Sequence, residues 1–359
     1  MYVTRRLSEY RRDPSKLSTP PHTAPNSGYM VTMDTALETE ETCCWGLCDS
    51  NEVKNLPFPQ NKTLVVSHSD DEHPIYELLF IPVLDEPLSS NGYYVIHAKG
   101  SSKGQACMCA TEEDKIKSIF GDHVRNVKPK AFDPTNVYQQ VEICNVPSRG
   151  FYANSALPNC YPPSFLREKY RTAAHSSPSY YSFDDAPGKW YSPFVFIKEE
   201  GSVKTQMKKS LFYKMTLEQY WEQIYSQENH GGEGNIVTVN TNVEIREVYC
   251  LDGMKAVRVD GNVNESDGFI WFRVQNQNSG RVGLSSAIVD GMRGIQKEGG
   301  SVDGQDSEVW AEKVEVTDNL WRRLCGYVLV ESFTLRRMDG SLVLNCDFRH
   351  TQRIKTKWE

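Results

Sequence analysis

The sequence predicts an α+β fold that is β-rich, with mostly antiparallel sheets and a few short helices. Three observations support this prediction. Short segments rich in β-branched and aromatic residues recur along the chain, bounded by Pro, Asn or Gly. Two Asp-Gly pairs, Asp252-Gly253 and Asp339-Gly340, separate such segments and are typical of tight hairpin turns. Patterns with helical spacing are few and short.

The chain is long enough for more than one domain, because single cores stop growing at about 250 to 300 residues. Its 359 residues are 39% hydrophobic and 24% charged, which supplies the apolar surface that a folded core needs. Changes in composition along the chain predict three regions. These are an N-terminal β-rich region at 1–149, a middle helix-containing segment at 150–234 and a C-terminal β-meander with an inserted helix at 235–359.

The first region is expected to combine strands with one helix. A proline-rich stretch at 20–28 fixes an extended path between the first two predicted strands. The helix is predicted over 111–120, because Thr111 and Asp114 have the spacing of a capping box. The predicted strands of this region span 2–7, 29–32, 63–67, 75–81 and 93–98.

The middle segment is expected to hold two helices and one strand. A proline pair opens a predicted helix over 162–170, and the apolar run at 190–197 is typical of a buried strand. Farther along, Thr216 and Gln219 have the spacing of another capping box. Apolar residues follow at intervals of three and four, which predicts an amphipathic helix over 216–224.

The last region contains two predicted hairpins whose registers follow from their turns. Two-residue Asp-Gly loops favour type I′ turns, and such a loop fixes which residues face each other. The predicted pairs are Glu247 with Arg258 and Val248 with Val257 in the first hairpin, and Leu335 with Leu344 and Phe333 with Cys346 in the second.

Two further patterns complete this region. Before the first hairpin, Val237, Val239 and Val243 alternate with polar residues, which predicts a strand buried on one face. Between the hairpins we expect a strand over 268–274. A helix follows it, with Leu284, Ala287, Ile288 and Met292 on one face.

Charge and hydropathy argue against two classes of partner. A formal charge of −7 repels polyphosphate, so nucleic acid is not an expected partner. No stretch reaches the roughly 20 apolar residues that cross a bilayer, and the first ten residues lack the apolar core of a signal peptide.

The ten cysteines are expected to be free thiols in a reducing compartment. A cytoplasmic location without membrane contact is therefore predicted.

The chain lacks the dinucleotide-binding, phosphate-binding, nucleophile-elbow and paired-histidine motifs. The only weak candidates for a metal site are Cys43, Cys44, Cys48, Cys107 and Cys109. Their spacing is poor for zinc, because adjacent residues of a strand point to opposite sides. We therefore expect no metal and no cofactor, and an oxidisable thiol cluster is the other functional reading of these cysteines.

Other polar residues are assigned to ordinary structural roles. The acidic run at 69–73 is interpreted as a charged hairpin loop, although carboxylates and imidazole could serve in acid–base catalysis. His97 lies inside a strand pattern and is expected to be packed. Lys204, Lys208 and Lys209 are interpreted as a solvated surface, because no glycine-rich phosphate cradle accompanies them.

Several unusual strings resemble the land-plant family catalogued as domain of unknown function 1262, and the resemblance runs along essentially the whole chain. The strings include Leu56-Pro57-Phe58-Pro59-Gln60-Asn61, Ile81-Pro82-Val83-Leu84, Gly188-Lys189-Trp190-Tyr191-Ser192-Pro193-Phe194 and Gly283-Leu284-Ser285-Ser286-Ala287-Ile288. The resemblance implies a plant source and a link to stress or pathogen response. It brings no catalytic or binding residues, because the family has no established activity.

Three functional hypotheses follow. The first is a non-enzymatic protein whose β-sheets present loops or a groove to a protein or small-molecule partner. The second is an enzyme of an unrecognised class that acts on a small molecule in a pocket between the β-rich parts. The third is a metal- or redox-responsive protein that uses the five cysteines named above.

Overall fold

A computed structural model describes most of the chain. The described residues are 1–21, 25–34, 42–43, 48–49, 52–67, 75–116, 123–146, 150–167, 171–175, 188–229, 236–251, 253–259, 268–277, 280–298, 308–316 and 321–359. Side chains within 42–43, 48–49, 171–175 and 308–309, and those of Glu52 and Glu298, are not described.

The described chain is built mainly from strands. The strands are β1 (Tyr2–Arg6), β2 (Gly28–Thr32), β3 (Thr42–Cys43), β4 (Cys48–Asp49), β5 (Glu52–Val53), β6 (Thr63–Ser67), β7 (Tyr76–Pro82), β8 (Gly92–His97), β9 (Lys115–Ile116), β10 (His123–Val124), β11 (Gln140–Val146), β12 (Gly150–Ser155), β13 (Arg171–His175), β14 (Lys189–Pro193), β15 (Ile197–Glu199), β16 (Phe212–Glu228), β17 (Ile236–Glu244), β18 (Arg246–Cys250), β19 (Met254–Arg258), β20 (Phe269–Val274), β21 (Arg281–Ser285), β22 (Glu308–Val316), β23 (Arg323–Arg337) and β24 (Leu342–Trp358). The α-helices are α1 (Leu7–Arg12), α2 (Ser164–Arg167), α3 (Val203–Lys209) and α4 (Ser286–Glu298). None of these helices is long and apolar enough to cross a bilayer.

The largest sheet has eleven strands in the order β15-β21-β20-β19-β18-β24-β23-β16-β14-β1-β2. Its pairs are antiparallel except for β1 and β2, which are parallel. β14 and β15 belong to opposite halves of this order, yet a single 3₁₀ turn, Phe194–Phe196, joins them. The sheet must therefore curl so that its two ends approach each other.

A second sheet of seven strands, in the order β12-β11-β8-β7-β6-β13-β5, packs against the first. Alternation along β7 sends Leu79 and Ile81 into a core shared with Tyr191 and Met215 of the eleven-stranded sheet. The opposite face of the seven-stranded sheet is buried as well, around Phe58, where aromatic rings pack edge to face. Because both faces are covered, the strands are apolar on both sides.

Strands β17 and β22 form a separate two-stranded antiparallel sheet. Val237, Val239 and Val243 are buried, which confirms the alternation expected from the sequence. Val239 faces Gly326 on β23, where an added Cβ would lie 3.1 Å from a Val239 methyl carbon. The small sheet therefore lies on the long strands, and the glycine permits the close approach.

The structure confirms the predicted fold class: it is β-rich and mostly antiparallel, with a few short helices. All five strands predicted in the first region form within one or two residues of the expected bounds. The second hairpin also has the predicted pairs, Leu335 with Leu344 and Phe333 with Cys346. Its turn is wider than predicted. In this turn the amide of Gly340 donates to the carbonyl of Arg337, and Gly340 has φ of +89°.

The register predicted for the first hairpin is wrong by one residue. Val248 pairs with Ala256 instead of Val257, so the loop contains three residues. This register buries Ala256 and leaves Lys255 on the other face, beside Glu244 and Glu247. A two-residue loop would have turned Lys255 toward the core, and an unpaired buried ammonium group is costly.

The helix predicted over 216–224 is also wrong. That segment lies inside β16, which pairs with β14 over its first residues and with β23 along nearly its whole length. Gln219, which was assigned to a capping box, instead donates to Glu331 on β23 at 2.8 Å. Long neighbouring strands therefore override the local helical spacing.

Two other predicted helices are shorter than expected. Thr111 and Asp114 do form a capping box, but it caps one 3₁₀ turn that leads into β9. The helix predicted over 162–170 appears as α2, Ser164–Arg167. The remainders of both predicted helices, 117–120 and 168–170, lie outside the described residues.

Candidate functional site

A cavity of about 580 Å³ lies between helix α4 and one face of the eleven-stranded sheet. Strands β18, β19, β20 and β24 supply its floor, and α4 supplies its roof. The volume is within the range of about 300 to 1,000 Å³ that is typical of small-molecule sites.

The floor follows from the strand register. Val248 pairs with Ala256 on one side and with Cys346 on the other, so these three side chains share one face of the sheet. Two positions farther along the strands, Phe348 and Phe272 line the same cavity. Arg246 pairs with Phe348 and Arg258 with Phe272, so the two arginines lie between the phenylalanines in that row. The floor is therefore apolar around Val248, Ala256 and Cys346 and mixed in the next row.

The roof follows from helical periodicity. Val289, Met292, Arg293 and Gln296 all line the cavity, and intervals of three and four residues place them on one face of α4. The sequence had predicted an apolar face that included Met292, Ala287 and Ile288, and all three are buried. Leu284, which was assigned to that helix, lies on β21 and contributes to the wall of the cavity.

Two glycines fix α4 against the beginning of the chain. A Cβ at Gly294 would lie 2.7 Å from Cδ of Pro25, and one at Gly291 would lie 3.2 Å from Cε of Met1. Contacts below 3.0 Å are not tolerated without movement of the neighbour. The face of α4 that carries the two glycines therefore packs against Met1 and Pro25, and the opposite face of the helix lines the cavity.

Basic residues predominate among the charged residues of the lining. The lining includes Arg246, Lys255, Arg258 and Arg293 together with a single carboxylate, that of Glu244, although alternation along β19 directs the Lys255 side chain to the face opposite Ala256. Lys255 lies 2.8 Å from Glu244, and hydrogen bonds to carboxylates raise the pKa of Lys255. Arg293 lies 3.7 Å from Asp290, which is on the same helix but does not belong to the lining. These pairs neutralise two of the four cations.

Arg246 is placed differently from these two cations. Its guanidinium lies 5.8 Å from the ring centroid of Phe348, so the aromatic wall orients it. Within the described part of the chain no carboxylate forms an ion pair with Arg246. Arg246 therefore brings a positive charge to the cavity that the described residues do not neutralise.

Gln296 is the second unusual polar residue of the lining. Its side chain is 3% exposed, and its Nε2 atom finds no hydrogen-bond partner among the described residues. A buried amide donor without a partner costs about 1 to 3 kcal/mol. The position therefore favours a ligand that supplies an acceptor oxygen.

The lining offers little for acid–base or nucleophilic chemistry. Burial raises the pKa of the Cys346 thiol well above its usual range, so this group stays protonated near neutral pH. The Glu244 carboxylate is held by Lys255. The arrangement can enclose an apolar group and attract a negative one, which are properties of a binding site.

The structure describes the side chains of only two of the five candidate cysteines, Cys107 and Cys109. Cys43 and Cys48 face each other on β3 and β4, and Cys44 lies outside the described residues. Cys107 and Cys109 are buried in the core of the seven-stranded sheet, where burial raises the pKa of Cys109 to about 11. The described residues contain no cluster of three or more metal-ligating side chains.

The remaining polar candidates are not part of the cavity lining or lie outside the described part of the chain. His97 lies on β8, half-buried, with its Nε2 atom 3.4 Å from the Cys107 sulfur. Burial lowers the pKa of His97 and raises that of Cys107, which disfavours an ionised pair. The acidic run at 69–73 is not described, and Lys204, Lys208 and Lys209 lie on α3.

The sequence alone did not reveal the cavity. Its residues come from six strands and one helix that are up to about a hundred residues apart, and none belongs to a recognisable motif. One pattern could have suggested it: Gln296 occupies the apolar face of α4 that begins at Val289 and Met292. A polar group on an otherwise apolar helical face is a candidate ligand contact.

A family model matches only part of the chain. Residues 23–120 match the family model described as "Protein of unknown function (DUF1262)". That segment is less than a third of the chain. It contains β2 to β9, and the cavity lies outside it. No curated protein matches the chain.

Among solved structures, the chain is similar to one titled "Crystal structure of Cry35Ab1". The two chains share 11% sequence identity with a TM-score of 0.44, and the alignment covers 84% of this chain and 90% of the other.

Proposed function

We propose that this protein binds a small amphipathic molecule in the cavity beneath α4 and does not transform it chemically. The observation that carries the proposal is the combination of an apolar floor with the buried, unpartnered amide of Gln296. Pockets of this size that join apolar walls to a few convergent polar groups are characteristic of small-molecule sites.

The apolar surface is sufficient for useful affinity. Each methylene group that leaves water contributes about 0.8 kcal/mol, so a tail of about ten methylenes gains about 8 kcal/mol. Lost translation and rotation cost about 4 kcal/mol or more. A ligand with an apolar tail that is buried by Phe272, Met292 and Val248 therefore retains a net gain.

The binding hypothesis has more support than the rival enzyme hypothesis. An enzyme would require a nucleophile or general base that is hydrogen-bonded to an orienting group in the pocket. Among the described residues of the lining, Cys346 is protonated near neutral pH and Glu244 is engaged by Lys255. Neither group is poised for proton transfer.

The biological setting of the proposal comes from the sequence. The resemblance described above supports a plant protein with a role in stress or defence, and ten cysteines that are expected to be free thiols support a cytoplasmic location. The proposed partner is a small molecule, with neither nucleic acid nor membrane as a partner.

Titration with Nile red, a neutral dye whose fluorescence rises in apolar surroundings, tests the proposal. We expect saturable binding of one dye per chain. Ala256→Trp, which places an indole on the cavity floor, should weaken dye binding at least tenfold. Met254→Trp introduces the same side chain on the same strand outside the lining, and should bind the dye like the parent protein.

The variants also separate loss of the cavity from loss of the fold. Val289→Trp fills the cavity from the helix side and should weaken binding as well, with a melting temperature that shows a folded protein. Equal dye affinity in the parent, Ala256→Trp and Val289→Trp proteins would overturn the proposed site.

A further inference from the structure

We propose that the ligand is a long-chain carboxylate whose head is bound by Arg246 and Gln296 and whose tail lies on the apolar floor. This inference rests on the proposed function and names its ligand class. It starts from two polar residues of the lining. Among the described residues, Arg246 has no ion pair and the Nε2 atom of Gln296 has no hydrogen-bond acceptor.

The strand register places positive charge at one end of the floor. Val248 pairs with Ala256 on the antiparallel strands β18 and β19. Two residues farther along each strand, Arg246 therefore lies beside Arg258 on the same face of the sheet. Like charges at directly opposite positions repel each other. An anion between or beside them removes that repulsion, so the fold favours a negative group at this end.

The two arginines do not contribute equally. Arg258 already has an interaction partner, whereas the contact described for Arg246 is with the Phe348 ring. An arginine held against an aromatic ring keeps its fork of N–H groups available in a fixed orientation. Arg246 is therefore the residue that we assign to the ligand's head group.

Gln296 supplies the second contact. Gln296 belongs to the lining, its side chain is almost completely buried, and its Nε2 atom has no acceptor in the described part of the chain. A carboxylate offers two oxygens in one plane, which matches an arginine fork and still leaves lone pairs for an amide donor.

A singly charged head fits the surroundings better than a doubly charged one. Lys255 is paired with Glu244, and Arg293 lies 3.7 Å from Asp290, so Arg246 is the lining cation that we assign to the head group. One available positive charge matches one negative charge on the ligand. The chemistry therefore favours a carboxylate over a phosphate monoester.

The apolar part of the ligand is defined by the floor and the roof. Phe272, Val248 and Cys346 lie below it, and Met292 and Val289 lie above it. These side chains offer no hydrogen bonds apart from a buried thiol, so they suit an unbranched hydrocarbon tail better than a polar ring.

Calorimetric titration of the full chain with three ligands of equal tail length tests the assignment: dodecanoate, dodecan-1-ol and dodecyl phosphate. We expect dodecanoate to bind at least tenfold more tightly than the alcohol, and more tightly than the phosphate. Arg246→Gln should remove most of the preference for dodecanoate and leave the affinity for the alcohol within about twofold. Gln296→Leu should also weaken dodecanoate binding.

Arg273→Gln is the matched control, because Arg273 lies on β20 outside the lining and should leave all three affinities unchanged. Equal affinity for the acid and the alcohol, or tighter binding of the phosphate, would overturn the carboxylate assignment while Nile red binding still supported the cavity. If neither the three ligands nor Nile red bound, the proposed function itself would be overturned.

Discussion

Replacing Arg337 with methionine should destabilise the fold substantially. Arg337 lies on β23 and forms two hydrogen bonds to the carboxylate of Glu199 on β15: one from Nε at 2.9 Å and a second, shorter one from a terminal nitrogen. The side chains are 13% and 8% exposed. Because β15 and β23 are not neighbours in the sheet, the ion pair ties separated parts of the curled sheet together.

The magnitude follows from what the substitution leaves behind. Removing one partner of a buried ion pair costs about 3 to 5 kcal/mol, because the other charge stays buried. Tyr213 still donates to Glu199 at 2.6 Å, so we expect the lower end, about 3 kcal/mol. Urea unfolding followed by circular dichroism measures this loss as a fall in the free energy of unfolding.

The effect should depend on pH in a defined direction. Burial opposes ionisation of Glu199, but hydrogen bonds from Arg337 and Tyr213 outweigh it and lower the pKa of the carboxyl below its ordinary value of 4.5. A lowered pKa stabilises the fold above pH 4.5, and this stabilisation is lost as the pH falls through the folded-state pKa. The difference between parent and Arg337→Met should therefore shrink in acid.

Two controls make this prediction refutable. Lys357→Met removes a cation from an exposed pair with Glu359 and should leave the unfolding midpoint unchanged. Glu199→Gln in the Arg337→Met background should recover part of the lost stability, because the unpaired charge is removed. Equal midpoints for the parent and Arg337→Met proteins at neutral pH would show that the pair does not hold the sheet.

Three further substitutions or labels test other parts of the structure. Gly340→Val should cost about 1 to 2 kcal/mol, because the turn holds this residue at φ of +89°; an unchanged melting temperature would contradict the hairpin. Gly294→Ala should weaken Nile red binding, because the new Cβ collides with Pro25 and shifts α4; parent-like affinity would contradict this packing. A thiol reagent at pH 8 should label half-exposed Cys144 before Cys109, whose pKa burial raises to about 11; the reverse order would contradict the burial of Cys109.

Much of the fold could be predicted from local sequence, and the failures have a common cause. Strands such as β6 are rich in β-branched residues and flanked by turn formers, so local composition identifies them. The segment 216–224 carries helical spacing, yet its residues 216–223 pair with β23, and β14 pairs with the first of them. Tertiary pairing decided that element, and local spacing does not report it.

The register of the first hairpin shows a second limit. An Asp-Gly pair favours a two-residue loop, but the loop here has three residues, which buries Ala256 and keeps Lys255 on the other face. The face that is buried is covered by α4, which begins thirty residues after Ala256. Turn chemistry alone could not have shown it.

The candidate site was missed for the same reason. Arg246 lies on β18 and Gln296 on α4, and both line one cavity because α4 lies across the sheet. The five candidate cysteines come from two segments of the sequence, and burial in the core of the seven-stranded sheet makes two of them, Cys107 and Cys109, poor nucleophiles. Thiol spacing in the sequence does not report this burial.

A crystal structure of the full chain grown with dodecanoate tests the central claim most directly. We expect the hydrocarbon tail between Met292 and Phe272, with the carboxylate in hydrogen-bond contact with Arg246 and Gln296. An empty cavity beneath α4 at saturating dodecanoate, or a carboxylate that points away from both residues, would contradict the proposed site.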